Sequence, residues 1–156
     1  MANADIMIAG TEDIPTLVEL YNEVFRPARD EQFFRRRFMG RRNILLLLAH
    51  VDGRPVGYSI GFELKPSTFF AWLAGVVPEL RRQGIATQLM EAQHSWCAEH
   101  GYSYIRIECN NSHRMVMHLA VKLGYDIIGL RHDQERGENL IIFEKNLGVD
   151  AEDTEA

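Results

Sequence analysis

The chain has 156 residues, 46% hydrophobic and 25% charged, with 12 glycines. That suits one compact domain that buries roughly two-thirds of its unfolded surface without a disulfide or metal staple. Its 17 Lys and Arg stand against 22 Asp and Glu, a net charge of −5, and the last seven residues hold four of the acids, Asp150, Glu152, Asp153 and Glu155. The body is therefore near neutral, which argues against nucleic acid as a partner. The longest apolar stretch, Ile44 to Ala49, is far short of the roughly 20 residues of a membrane span, and the opening MANADIMIAG lacks the pattern of a secretory leader. The expectation is a cytoplasmic protein with no membrane partner.

Asp5 to Ala9 reads as a strand. Thr11 then stands where a helix N-cap would, with Glu12, Asp13 and Pro15 suited to a first turn. Apolar residues at Ile14, Leu17, Val18, Tyr21, Val24 and Phe25 continue that helix until Pro27. Asp30 caps a second helix, which carries Phe34 and Phe38 on one face and stops at Gly40. The arginines at 35, 36, 37, 41 and 42 are the chain's one basic concentration; they suit either a solvated face or a phosphate-bearing ligand.

Two apolar runs, Ile44 to Val51 and Pro55 to Leu64, flank Asp52-Gly53, a dipeptide that suits a hairpin turn. A third run, Thr68 to Val77, ends at Pro78. After Gly84 the period is helical, with Ile85, Leu89, Ala92 and Trp96 on one face, as far as Gly101. Tyr102 to Cys109 alternates as a strand, Ile105, Ile107 and Cys109 against Tyr104, Arg106 and Glu108. A short helix from Ser112 to Leu123 stops at Gly124, and Ile127 to Arg131 pairs with Leu140 to Lys145. Cys97 and Cys109 lack any ligand or disulfide spacing and read as buried, reduced thiols, with no metal site indicated.

The richest segment is Gly75-Val-Val-Pro-Glu-Leu-Arg-Arg-Gln-Gly-Ile-Ala-Thr-Gln-Leu89, a strand turning into the start of the longest helix. A helix start leaves about four N–H groups without partners at the positive end of the macrodipole, a site ready for phosphate oxygens. Gly84 and Ala86 leave those amides open, Thr87 adds a hydroxyl, and Arg81 and Arg82 add charge. A nucleoside-triphosphate loop would need G-K-[ST], which is absent. A dinucleotide fingerprint would need a third glycine where Leu89 stands.

Val76, Pro78, Arg81, Gly84 and Ala86 resemble the V-x-P-x-x-R-x-x-G-x-[GA] motif of the GNAT superfamily of acyl-CoA-dependent N-acyltransferases. Asn111 and Lys122-Leu-Gly-Tyr125 are similar to its downstream block. The likeness runs from Asp5 to Leu147. It implies an α/β fold, a single GNAT-like domain over residues 1–147, with a mixed, mostly antiparallel sheet of about seven strands and about four helices, splayed between strands 4 and 5. Residues 148–156 form an acidic tail expected to be disordered. The resemblance also implies acetyl-CoA as the donor. By that likeness Arg82, Gln83, Gly84, Ile85, Ala86 and Thr87 cradle its diphosphate, Val76 and Val77 lie along its pantetheine arm and polarise the thioester carbonyl, and Asn111 belongs to the cofactor site. A homodimer is also compatible with the family.

The implied reaction is acetyl transfer to a primary amine, small-molecule or protein, by direct attack in a ternary complex. An alkyl amine arrives protonated and a thiolate must depart, so a base and an acid are needed. The tyrosine that serves many relatives as acid is here Ala120, and Tyr125 reads as a core anchor. Phe69 to Val77 offers no ionisable side chain. Glu108 is the candidate base, ahead of Glu63, His113 and His118, while Trp72 and Phe70 line either the acceptor pocket or the core. Asp133, Glu135 and Glu138 suit either solvent or a cationic acceptor. The alternative from another class is an acyl-CoA-binding sensor or partner module with little or no activity.

Overall fold

The computed structural model describes residues 2–148; the tail expected over 148–156 lies, but for its first residue, outside the described residues. The elements follow in chain order: β1 Asp5–Ala9, α1 Ile14–Val24, α2 Glu31–Phe38, β2 Leu45–Val51, β3 Arg54–Lys65, β4 Thr68–Val76, α3 Ile85–Glu99, β5 Tyr104–Asn110, α4 Arg114–Lys122, β6 Asp126–Asp133 and β7 Glu138–Asn146. Short 3₁₀ turns precede α1 (Thr11–Asp13) and follow β4 (Pro78–Leu80). The strands form one seven-stranded sheet in the order β1-β2-β3-β4-β5-β7-β6. β1–β2, β2–β3, β5–β7 and β6–β7 pair antiparallel, while β4 and β5 pair parallel over Thr68–Ala71 against Tyr104–Ile107. This is the mixed α/β architecture expected.

The residues fall into two compact units, one of the chain up to Glu63 with Trp72–Ser95, the other of Leu64–Ala71 with the chain from Trp96 onward. In the first unit, β2 is buried along Leu45–Ala49 and β3 along Val56–Phe62. The Asp52-Gly53 turn has both residues at positive φ, 51° and 78°, and Val51 faces Arg54 across it, the geometry that this dipeptide supplies. Asp30 caps α2 as expected, its carboxylate accepting the Phe33 N–H at 3.0 Å.

The start of α1 differs. Thr11 is not the cap: Gly10 precedes the 3₁₀ turn, and its N–H donates to the Asp13 carboxylate at 3.0 Å, so the acid at 13 closes the turn rather than sitting free in a first helical turn. The buried line of α3 also differs. Ile85, Leu89, Gln93 and Cys97 are buried, at four-residue spacing, while Ala92 and Trp96 are half-buried. A polar residue thus occupies a position that apolar counting passes over.

In the second unit, β5 buries Ile105, Ile107 and Cys109 and turns Tyr104, Arg106 and Glu108 outward, the alternation expected of a strand with two unlike faces. Arg106 donates to Glu144 of β7 through two nitrogens, at 3.1 and 2.8 Å. α4 ends at Gly124 (φ 88°), where the Lys145 ammonium donates to the Leu123 carbonyl at 2.7 Å and so meets one of the carbonyls a helix end leaves unpaired. Cys97 and Cys109 are buried free thiols. Among the described residues no helix is long and apolar enough to cross a membrane.

Candidate diphosphate-binding loop and catalytic residues

The first unit holds the loop between β4 and α3. Val76 and Val77 are buried, and the Val77 N–H donates to Val56 O on β3 at 2.8 Å. That amide is committed to the protein itself and is not available to an incoming carbonyl. Successive peptide groups of a strand point to opposite edges, so the Val76 peptide points away from β3; its carbonyl accepts Arg81 Nε at 3.4 Å. Arg81 therefore ties the loop to the strand, a structural role beside the electrostatic one expected of its charge.

Arg82 and Gly84 take positive φ values of 64° and 84°, the left-handed conformations that turn peptide N–H groups into an anion-accepting concavity. The Gly84 carbonyl accepts the Gln88 N–H at 3.1 Å. Gly84 is thus the residue from which α3 starts, and the amides of Ile85, Ala86 and Thr87 are the ones that have no acceptor inside the helix. Ile85 anchors this turn in the core while Ala86 is exposed and Thr87 half-buried. Their donors lie at the positive end of a fifteen-residue helix, which favours an anion there.

One contributor is not legible in the sequence. The Gln88 carboxamide accepts the Ala4 N–H at 3.0 Å and donates to the Ala2 carbonyl at 2.9 Å, and the Ala2 N–H donates to Gln83 O at 3.1 Å. Residues 2–4 strap the loop from outside. A lone glutamine in a helix gives no local signal of such a partner.

The second unit holds the remaining candidates. Glu108 is half-buried and its carboxylate accepts Arg131 Nη2 at 2.8 Å; the paired carboxylate in turn raises the Arg131 pKa. Asn111 is exposed, its N–H donating to Asn139 O at 3.4 Å. The neighbouring Asn110 shapes this turn: its Oδ1 accepts the Ser112 N–H at 2.8 Å and the Ser112 hydroxyl at 3.0 Å, and its amide donates to Glu138. Glu138 is therefore engaged by Asn110, and Asp133 accepts the Glu135 N–H at 3.1 Å.

His113 opens α4 with its carbonyl accepting the Met117 N–H at 3.1 Å, and both His113 and His118 are exposed. Ala120 is fully buried. Tyr125 is buried as well, and burial pushes its phenol well above the usual range, which suits a core anchor rather than a proton donor. In the first unit Glu63 is half-buried, its N–H donating to Arg42 O at 2.9 Å. Trp72 lies among phenylalanines of α2 and β3, and Phe70, in the second unit, is half-buried. Among the described residues no group of three His, Cys, Asp or Glu is placed to hold a metal ion.

The profile of the acetyltransferase (GNAT) family matches residues 14–125, which include both the loop and the Lys122–Tyr125 block. The chain belongs to the GNAT acetyltransferase family. Its fold is similar to that of the ribosomal-protein-S18-alanine N-acetyltransferase of Escherichia coli (TM-score 0.83, 18% identity, covering 96% of this chain and 97% of that one). It is similar also to a GNAT acetyltransferase of Elizabethkingia anophelis with acetyl-CoA bound (0.78, 16%, 94% and 99%) and to yncA of Salmonella typhimurium with its cofactor acetyl-CoA (0.75, 15%, 95% and 96%). At these identities the likeness is one of fold.

Proposed function

We propose that this GNAT acetyltransferase transfers an acetyl group from acetyl-CoA to a primary amine by direct attack in a ternary complex. The observation that carries the reading is the start of α3: three amides, of Ile85, Ala86 and Thr87, left without helical acceptors directly after a loop with Arg82 and Gly84 at positive φ. Such a cradle suits the diphosphate of the coenzyme, and two neighbours of the same fold hold acetyl-CoA. Arg82 and Gln83 complete the loop. Asn111, after β5, is assigned to the cofactor by family likeness.

In the reaction the amine nitrogen attacks the thioester carbon, the tetrahedral oxyanion collapses, the C–S bond breaks, and the thiolate leaves to take a proton. A backbone N–H aimed at the oxyanion supplies roughly 2.7–4 kcal/mol by analogy with other oxyanion holes. Val76 is the donor of this strand end, since Val77 is spent on Val56. Glu108 is the base that takes the ammonium proton, directly or through water, with Arg131 fixing its carboxylate. No covalent enzyme intermediate is required, because burial raises the pKa of both thiols and so disfavours their nucleophilic form.

A second reading, an acyl-CoA-binding module without efficient chemistry, is favoured by two observations: Ala120 stands buried where relatives carry a tyrosine, and Glu108 is held in an ion pair. Free-thiol release from acetyl-CoA, measured with a panel of amines beside calorimetric binding of the coenzyme, separates the two. Turnover with any amine supports the transferase; tight binding with no turnover on the whole panel supports the module.

A further inference from the structure

β6 ends the sheet on the side of the second unit, so one of its edges has no neighbouring strand among the described residues. Natural edge strands are blunted by repelling charges, proline, shortness or a bulge. β6 runs for eight residues without Lys or Pro and has a bulge at Ile128, where its pairing with β7 steps from Ile127 to Gly129. The charges that flank its apolar stretch, Asp126 and Arg131, are of opposite sign. Its apolar side chains are open: Ile127 is 64% exposed, Ile128 49% and Leu130 67%. Apolar side chains gathered along a free edge mark a surface for another strand.

Residues directly opposite each other on neighbouring antiparallel strands share a face of the sheet. Ile127 stands opposite Phe143 and Leu130 opposite Ile141, and these two stand opposite Ile107 and Cys109 of β5. Ile107, Cys109 and Phe143 are buried, so an apolar layer that is covered on β5 and β7 reaches solvent at β6. Asp126, Gly129 and Arg131 take the other face, opposite Glu144, Ile142 and Leu140.

With the bulged Ile128 set aside, β6 reads Asp126, Ile127, Gly129, Leu130, Arg131, an order that is self-complementary about Gly129. A second copy laid antiparallel on this edge, turned about a twofold axis through Gly129, meets it in register. Ile127 then faces Leu130 of the other copy and Asp126 faces Arg131, each pair formed twice. Four apolar side chains cluster where the layer is uncovered, and two ion pairs form on the opposite face. Gly129 puts no side chain at the axis, and a Cβ there would meet only Ile142 of β7, at 3.5 Å. Arg131 spends Nη2 on Glu108 and keeps the other donors of its fork. The edge strand at the other end of the sheet, β1, has no such match, since an axis through Met7 sets Asp5 opposite Ala9.

We infer that the free edge of β6 docks a second copy of this chain, in an isologous dimer whose β6 strands pair antiparallel about Gly129. The inference does not depend on the acetyl-transfer reading.

The test is sedimentation of the full chain over about 1–100 µM, since a dimer follows mass action. It is repeated in Asp126→Arg, Arg131→Asp and Leu130→Lys, each shown to be folded by its melting temperature. Mass is the readout because Arg131 also holds Glu108. The wild type is predicted to form a dimer and no larger species. Asp126→Arg and Arg131→Asp each set like charges opposite one another at two places and are predicted to raise the dissociation constant at least tenfold, as is Leu130→Lys. An equimolar mixture of the two charge variants is predicted to dimerise again, because every charge then faces its opposite. A wild type that stays monomeric throughout overturns the inference and leaves the edge to a different partner. A dimer indifferent to all three substitutions, or charge variants that stay monomeric when mixed, overturns the β6 register.

Discussion

Gln88, one turn into α3, accepts the N–H of Ala4 at 3.0 Å. With its return bond to Ala2 and the Ala2–Gln83 bond, this couples residues 2–4 to the proposed diphosphate loop. Net hydrogen bonds contribute about 0.5–1.5 kcal/mol each. Gln88→Leu, which removes both, is therefore expected to raise the dissociation constant of acetyl-CoA several-fold with little change in kcat. Gln88→Glu keeps the acceptor for Ala4 and is expected to fall between. Calorimetric titration of the three proteins checks the order.

Gly75 of β4 lies against Tyr58 of β3. A Cβ on Gly75 would stand 3.0 Å from Tyr58 Cε1 and 3.2 Å from its hydroxyl, and Tyr58 is fully buried. Gly75→Ala is expected to lower stability by about 1–3 kcal/mol, the usual cost of overpacking. The Tyr58 hydroxyl is itself buried with no partner among the described residues, so Tyr58→Phe is expected to be neutral or slightly stabilising. Urea unfolding of both variants measures the two effects.

Burial pushes the Cys97 thiol up to about 12 and raises that of Cys109 in the same direction. A folded-state pKa above the unfolded value means that the folded chain holds the proton more tightly. Their contribution to stability is complete below about pH 9 and is lost as pH rises from there toward 12. The unfolding midpoint is expected to fall across that window in the wild type and less steeply in Cys97→Ala. Dithionitrobenzoate should react slowly with the native chain and fast in denaturant.

The Glu108–Arg131 pair is partly exposed, a setting in which such bridges contribute about 0–1 kcal/mol. Glu108→Gln should therefore leave the melting temperature nearly unchanged, yet lower kcat by about 10²-fold or more, the range of general-base contributions. A small effect on kcat would remove Glu108 from the mechanism and return the base to Glu63 or the α4 histidines.

What the sequence makes legible is local. The alternation of β5, the Asp52-Gly53 turn and the Asp30 cap are written in nearest neighbours, and the structure has them where the pattern places them. The proposed diphosphate loop is legible through the spacing of Val76, Pro78, Arg81, Gly84 and Ala86, which resembles the family motif; a glycine at a helix start is common and gives no such signal alone. Gln93 in the buried line of α3, the capture of Val77 N–H by Val56, and the strap from Gln88 to Ala4 all depend on which strand or segment comes alongside. Arg37 of α2 and Arg41, which follows that helix, show the same limit. Their charge is plain in sequence, but their stacking on Trp72 and Phe62 requires β3 and β4 beside the helix.

The proposed coenzyme site depends on Gly84, from which α3 starts at a φ of 84°. Gly84→Glu puts a side chain in a left-handed position and a negative charge against the proposed diphosphate site. Calorimetric titration of acetyl-CoA into the wild type and into Gly84→Glu, each shown to be folded by its melting temperature, is the direct measurement. One site per chain in the wild type and an affinity reduced at least 100-fold in the variant are predicted; equal affinity in the two proteins would contradict the diphosphate assignment.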